Sequence, residues 1–260
     1  NSWENCWWRD IRTPCPLAEH MEPVYLAILA FCSSLFTACA GLGGGILLLA
    51  MMLQIFPPSV VIPLHGITQF FSNASRALIL RSFIVKEYVV PFTIGSLLGV
   101  MIFIPLITLV DQVIGSFILG VFILVATWKP SYLKLRSVHA TISGAITGGL
   151  GLILGAIGPL AMSAHPKEDW IKEQIVANHA AVMAYQHGLK VVAFAAIGIN
   201  LLEYSRELIG LILGAAAGTF VGTRLLKRIS DNRFRVILNV VLTILAIRMI
   251  YENVLTLALD

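Results

Sequence analysis

The chain of 260 residues is 58% hydrophobic and 12% charged, with a mean hydropathy of +0.86 and a net charge of +4. Soluble domains carry roughly 25% charge, so this composition excludes an ordinary water-soluble domain and implies an integral membrane protein. Lysines and arginines are distributed over short loops between apolar runs, the pattern of membrane topology and not of a nucleic-acid-binding surface.

The opening stretch "NSWENCWWRDIRTPCP" lacks Met and the basic start and apolar run of a signal peptide, and reads as a processed or tagged terminus. Cys6 and Cys15 within it have no metal-site spacing and would pair only if this end faces an oxidising space. Cys32 and Cys39, seven apart, are expected to share a helix face as packing residues. The apolar segments number eight or nine, depending on how the broken ones are counted: roughly 24–40, 42–56, 59–80, 88–109, 112–128, 139–164 with a break near 155, 170–202, 205–226 and 233–251. Uncharged runs such as Tyr88 to Val110 and Gln112 to Trp128 come close to or exceed the about 20 helical residues that a hydrocarbon core requires.

The chain also resembles itself at an offset of 114 residues. "GLGGGI" at 41–46 falls on "GAIGPL" at 155–160, and "HGITQFFSNASR" at 65–76 falls on "HAAVMAYQHGLK" at 179–190. His65 then corresponds to His179, Ser72 to Gln186, Asn73 to His187 and Arg76 to Lys190. With five residues inserted, "IGSLLG" at 94–99 matches "LGAAAG" at 213–218. The expected organisation is an extramembrane segment 1–23, a first repeat 24–128, a basic linker 129–138 and a second repeat 139–260.

Charge decides between topologies. If each Gly-broken segment is a re-entrant hairpin, then Arg81, Lys86, Lys129, Lys134, Arg136, Lys167, Lys172, Arg224, Lys227, Arg228, Arg233 and Arg235 all fall on one side. Arg9, Arg12, Arg206 and Arg248 are left outside it. Simple alternation of full crossings gives no comparable bias, so the positive-inside rule favours hairpins and an external N-terminal segment. The expected fold is an all-α polytopic membrane protein of two inverted repeats. Each repeat is a Gly-broken hairpin, re-entrant or discontinuous, followed by three transmembrane helices, a recurrent design of secondary transporters.

Irregular backbone at membrane depth survives only inside protein or beside a water-filled cavity. Gly41 is suited to end the incoming helix in the left-handed conformation, and a helix beginning near Ile46 would present free N–H groups. Pro159 suits the first position of the helix after the second break. Two helix N-termini aimed at the midplane form an anion site, with donors at Gly43, Gly44, Gly45, Ile157 and Gly158. Packing alone is the other use of such glycines, and the use expected of Gly95 and Gly99.

Lys190 has 16 uncharged residues before it and 12 after it, so it lies deep in its helix, where an ionisable side chain signals function. Asn178, His179, Gln186 and His187 share its face; the counterpart face carries His65, Gln69, Ser72, Asn73 and Arg76. No acid stands between Glu22 and Glu87, and donors without acids suit an oxyanion better than a metal cation. His65, His179 and His187 lack the carboxylate or thiolate partners of a transition-metal site, and no Gly-Lys-Ser/Thr follows "GLGGG" to make a nucleotide loop.

The ordered set "GLGGGILL", "PLHGITQFFSNASR", "GLGLILGAIGP" and "NHAAVMAYQHGLK" resembles the sulfite exporter TauE/SafE family, also called the toluene sulfonate uptake permease family, over nearly all of residues 24–252. The resemblance implies a multi-pass protein of a bacterial or archaeal inner membrane. It would move sulfite, thiosulfate, sulfoacetate or another sulfur-containing anion, commonly outward, without enzymatic activity, metal or other cofactor. Ile157 and Pro159 stand where the family's second glycine motif has glycines. The expected function is a secondary carrier of sulfite or an organosulfonate by alternating access, with its histidines as candidate proton carriers. The alternatives are an uptake permease for thiosulfate or another sulfur compound, an anion channel, and an intramembrane metal enzyme.

Overall fold

The computed structural model describes residues 23–40, 43–54, 56, 58–107, 109–110, 112–135, 138–165, 170–225 and 231–259. Cys6, Cys15 and Gly41 lie outside these residues. Among them there are ten α-helices and no strand: α1 (Pro23–Ala40), α2 (Gly44–Met52), α3 (Pro58–Ile79), α4 (Lys86–Ile107), α5 (Gln112–Trp128), α6 (Ala140–Leu154), α7 (Gly158–Ser163), α8 (Lys172–Ala196), α9 (Ser205–Leu225) and α10 (Asp231–Leu259). Lys86–Ile107 and Leu201–Gly222 have the length and apolarity to cross a membrane. Ile94, Met101 and Ile102 on α4 and Ile209, Leu213 and Phe220 on α9 are exposed, a surface too apolar for water and suited to lipid.

Both breaks occur, at positions that glycine conformation sets. Before α2 the left-handed residue is Gly43, with φ 96°, and the helix starts at Gly44, two residues ahead of the expected Ile46. Gly155, with φ 71°, ends α6, and Pro159 stands in the first turn of α7. The segment expected to run to 202 stops earlier. Gly198 is left-handed, with φ 95°, and Ile199 N–H returns to Phe194 O at 3.1 Å, a glycine-terminated helix end that hydropathy does not register. Cys32 is exposed on α1 and not packed inside, because the buried side of α1 carries Leu26, Ala30 and Ser33 instead.

The helices pack in a crossed arrangement: α1 lies most extensively on α9, α4 on α6, α3 on α8, and α5 on α10. Glycines set the closeness of the first two pairs. A Cβ on Gly95 would fall 1.8 Å from Thr141 O and one on Gly99 2.0 Å from Ala145 O. In the other pair a Cβ on Gly214 would fall 2.1 Å from Ala27 O and one on Gly218 2.2 Å from Phe31 O. In a membrane, where apolar burial drives association weakly, such backbone contact is the main packing term.

Candidate functional site

The centre is the α3–α8 pair, flanked by the two breaks. Thirteen residues of α3 are buried, and six of them are polar or charged: His65, Thr68, Gln69, Ser72, Asn73 and Arg76.

 The other seven are apolar or glycine, and all of them precede Thr68 along the helix. On α8 Asn178, His179, Gln186, His187 and Lys190 are buried. Neither helix carries an acid except Glu173 in the first turn of α8, and the buried acid among the described residues is Glu207, on α9.

Each break is fastened by one of these side chains. Gly45 O accepts a hydrogen bond from His65 Nε2 at 2.8 Å, and Gly44 O accepts one from Ser33 Oγ at 2.6 Å. Gly155 O, the last carbonyl of the α6 end, accepts one from Lys190 Nζ. The Lys190 stem reaches it across Gly66, where a Cβ would fall 3.2 Å from Lys190 Cδ. The two broken segments meet there: a Cβ on Gly155 would lie 3.1 Å from Leu49 of α2 and 3.3 Å from Ile62 of α3. The ring of His187 meets that of His65 edge-on at 5.5 Å.

The first-break glycines have separate uses. Gly43 supplies the left-handed turn; Gly44 allows α1 to touch α2, since a Cβ there would fall 1.8 Å from Thr37 Oγ1; Gly45 leaves room for the Gln69 amide, 3.2 Å from its would-be Cβ. Gly158 instead faces His179, with Nε2 at 3.8 Å. Ile157 is a buried apolar residue at the start of α7.

Other residues singled out from the sequence stand differently. Asn73 donates within its own helix, to Gln69 O at 2.8 Å. Asn178 accepts from Val85 N at 2.8 Å and donates to Gln174 O at 2.7 Å, so its amide joins α8 to the segment before α4. Gln186 turns to α4 and α6, its Nε2 donating to Ser96 Oγ at 3.0 Å and to Thr147 Oγ1 at 2.7 Å. Arg76 is 8% exposed and its Nη2 has no hydrogen-bond partner among the described residues.

Three partners escaped the sequence reading. His165 stacks at 5.5 Å from His179, 5.0 Å from Tyr88 and 5.7 Å from Trp170, and its Nδ1 lies 2.9 Å from Ala161 O. Ser96 and Thr147, between packing glycines, look like packing residues themselves. Only Ser96's place beside Gly95 and Gly99 hinted that it faces another helix. Among the described residues no three His, Cys, Asp or Glu side chains are grouped to hold a metal ion.

Fold and site together define a helical membrane protein whose interior holds two cations and several imidazoles with no acid on the same helices beyond Glu173. A family model described as Sulfite exporter TauE/SafE matches residues 26–249, and the chain belongs to that family of membrane transporters for sulfur compounds such as sulfite. No curated protein and no solved structure matches the chain.

Proposed function

We propose that the protein is a secondary carrier, most naturally an exporter, of a small sulfur-containing anion such as sulfite or an organosulfonate. It would work by alternating access in the plasma membrane of a bacterium or archaeon, with its N-terminal segment outside. The observation that carries this reading is Lys190. It is a buried cation that touches a carbonyl at a helix break and has no acid near it in sequence. An ammonium has three donors, so Lys190 keeps others for an anion after satisfying Gly155 O. Arg76 Nη2 is a further buried donor.

The packing supports two repeats that exchange partners. Ala27 and Phe31 are the residues that the 114-residue offset sets against Thr141 and Ala145, and they receive Gly214 and Gly218 as Thr141 and Ala145 receive Gly95 and Gly99. The third helices of the two halves, α3 and α8, lie on each other, as do the fifth, α5 and α10. This is the pattern expected of two inverted repeats, each with a broken hairpin and three crossings, and it favours movement of one bundle against the other around α3 and α8.

The test is sulfite efflux from proteoliposomes over a range of concentrations, with thiosulfate, sulfoacetate, sulfate and chloride as competitors. Saturable flux blocked by a sulfur anion supports the carrier and identifies its substrate. Flux that never saturates and passes chloride would replace it with a channel. Proton coupling through the buried imidazoles is a separate part of the reading: it requires that an imposed pH gradient, at zero membrane potential, change the flux.

A further inference from the structure

The polar core offers acceptors as well as cations, and this bears on which anion fits. Ser96 Oγ donates to Phe92 O at 2.9 Å and Thr147 Oγ1 donates to Ser143 O at 2.7 Å. Each hydroxyl has a single hydrogen, so both turn only lone pairs towards Gln186. The Gln186 nitrogen must therefore face them, and this network assigns the amide orientation. Gln186 Oε1 is then a buried acceptor without a partner among the described residues.

His65 is fixed in the same way. Gly45 O can only accept, so His65 Nε2 carries the hydrogen of their 2.8 Å bond. In the neutral ring Nδ1 then carries a lone pair, and it too is buried without a partner among the described residues. Both acceptors stand on the paired helices that carry the cation. Lys190 lies one turn beyond Gln186 on α8, its stem crosses Gly66 next to His65, and His187, adjacent to Gln186, meets the His65 ring.

A bare oxyanion presents only lone pairs and would leave both acceptors unpaired or repelled. Resting on the anion-carrier reading above, we infer that Gln186 and His65 select a singly charged sulfur oxyanion that brings a hydrogen-bond donor of its own. That donor is either the proton of a protonated oxyanion such as hydrogensulfite or an O–H or N–H on the organic part of a sulfonate. Dianions such as sulfate are disfavoured. A site built to receive a substrate hydrogen rejects the analogue lacking it, because the buried acceptor is left unpaired.

The experiment is inhibition of labelled-sulfite flux by the full chain in proteoliposomes. One arm compares 2-hydroxyethanesulfonate with propanesulfonate, which replaces the hydroxyl by a methyl. The other compares sulfite with methanesulfonate, a monoanion without a donor, from the acid to the alkaline side of neutrality. The expected result in the first arm is a preference of about tenfold for the hydroxylated anion, collapsing to within about twofold in Gln186→Met; this assigns the donor to the organic part. In the second arm sulfite gains on methanesulfonate as pH falls, which assigns it to the protonated oxyanion. The wild-type comparisons stand if the variant does not fold. Equal inhibition within the first pair, together with a sulfite to methanesulfonate ratio independent of pH, overturns the proposal and leaves the carrier intact. Absence of any sulfite flux or inhibition removes the carrier reading itself.

Discussion

The two breaks occupy corresponding places in the chain but are fastened by different chemistry. The first leads into a nine-residue helix, uses three consecutive glycines and is held by an imidazole and a serine hydroxyl. The second leads into a six-residue helix, begins at a single left-handed glycine, and is held by an amine. The 114-residue offset thus relates where the backbone breaks, while the freed carbonyls at each break are satisfied by whatever donor the neighbouring helix supplies. Only the second fastener brings a net charge, so the anion-binding strength of the pair is expected to lie with Lys190.

Substitutions at corresponding positions probe that asymmetry. The largest effect is expected of Gly44→Ala: the new Cβ would meet Thr37 Oγ1 at 1.8 Å and the backbone oxygen of Ser33 at 2.2 Å. The cost is about 3 kcal/mol, read as loss of folded protein in thermal unfolding. Next comes Lys190→Met, similar in length and uncharged, which should lower sulfite flux by at least about tenfold; normal flux would take Lys190 out of the site. His65→Leu removes the donor to Gly45 O and should cost about 1 kcal/mol of stability, with a smaller loss of flux than Lys190→Met. If the two losses are equal, charge is not what distinguishes the breaks. The smallest effect is expected at Gly158, the counterpart of Gly44, where a Cβ meets nothing closer than His179 Nε2 at 3.8 Å. Gly158→Ala should change stability by about 0.5 kcal/mol or less, and a large loss would show that the second break is packed as tightly as the first.

Much of this was legible in the sequence. The breaks were visible because glycine and proline punctuate an otherwise continuous apolar pattern, and the polar faces of α3 and α8 because helical spacing aligns His179, Gln186, His187 and Lys190. The matched histidines also proved informative, since His65 lies against the first break and His179 against the second. What was misplaced was local: the helix after the first break starts at Gly44 and not near Ile46, and α8 ends at Ala196, before the left-handed Gly198, and not near 202. A run of glycines marks a helix start only to within a few residues, and hydropathy continues through a glycine helix end.

The sequence by itself determined that the chain belongs in a membrane, that it resembles itself at an offset of 114 residues, and that cationic and imidazole side chains stand in apolar segments far along the chain from most acids. These follow from composition and periodicity, which are properties of the chain. Only the tertiary structure decided what those side chains touch. Lys190 reaches Gly155 because α8 crosses α6 at the break, Asn178 is spent on Val85 N, and Gln186 is turned by two hydroxyls from other helices. The direction of a hydrogen bond depends on partners distant in the chain, so whether a buried amide offers a donor or an acceptor cannot be read until the helices are packed.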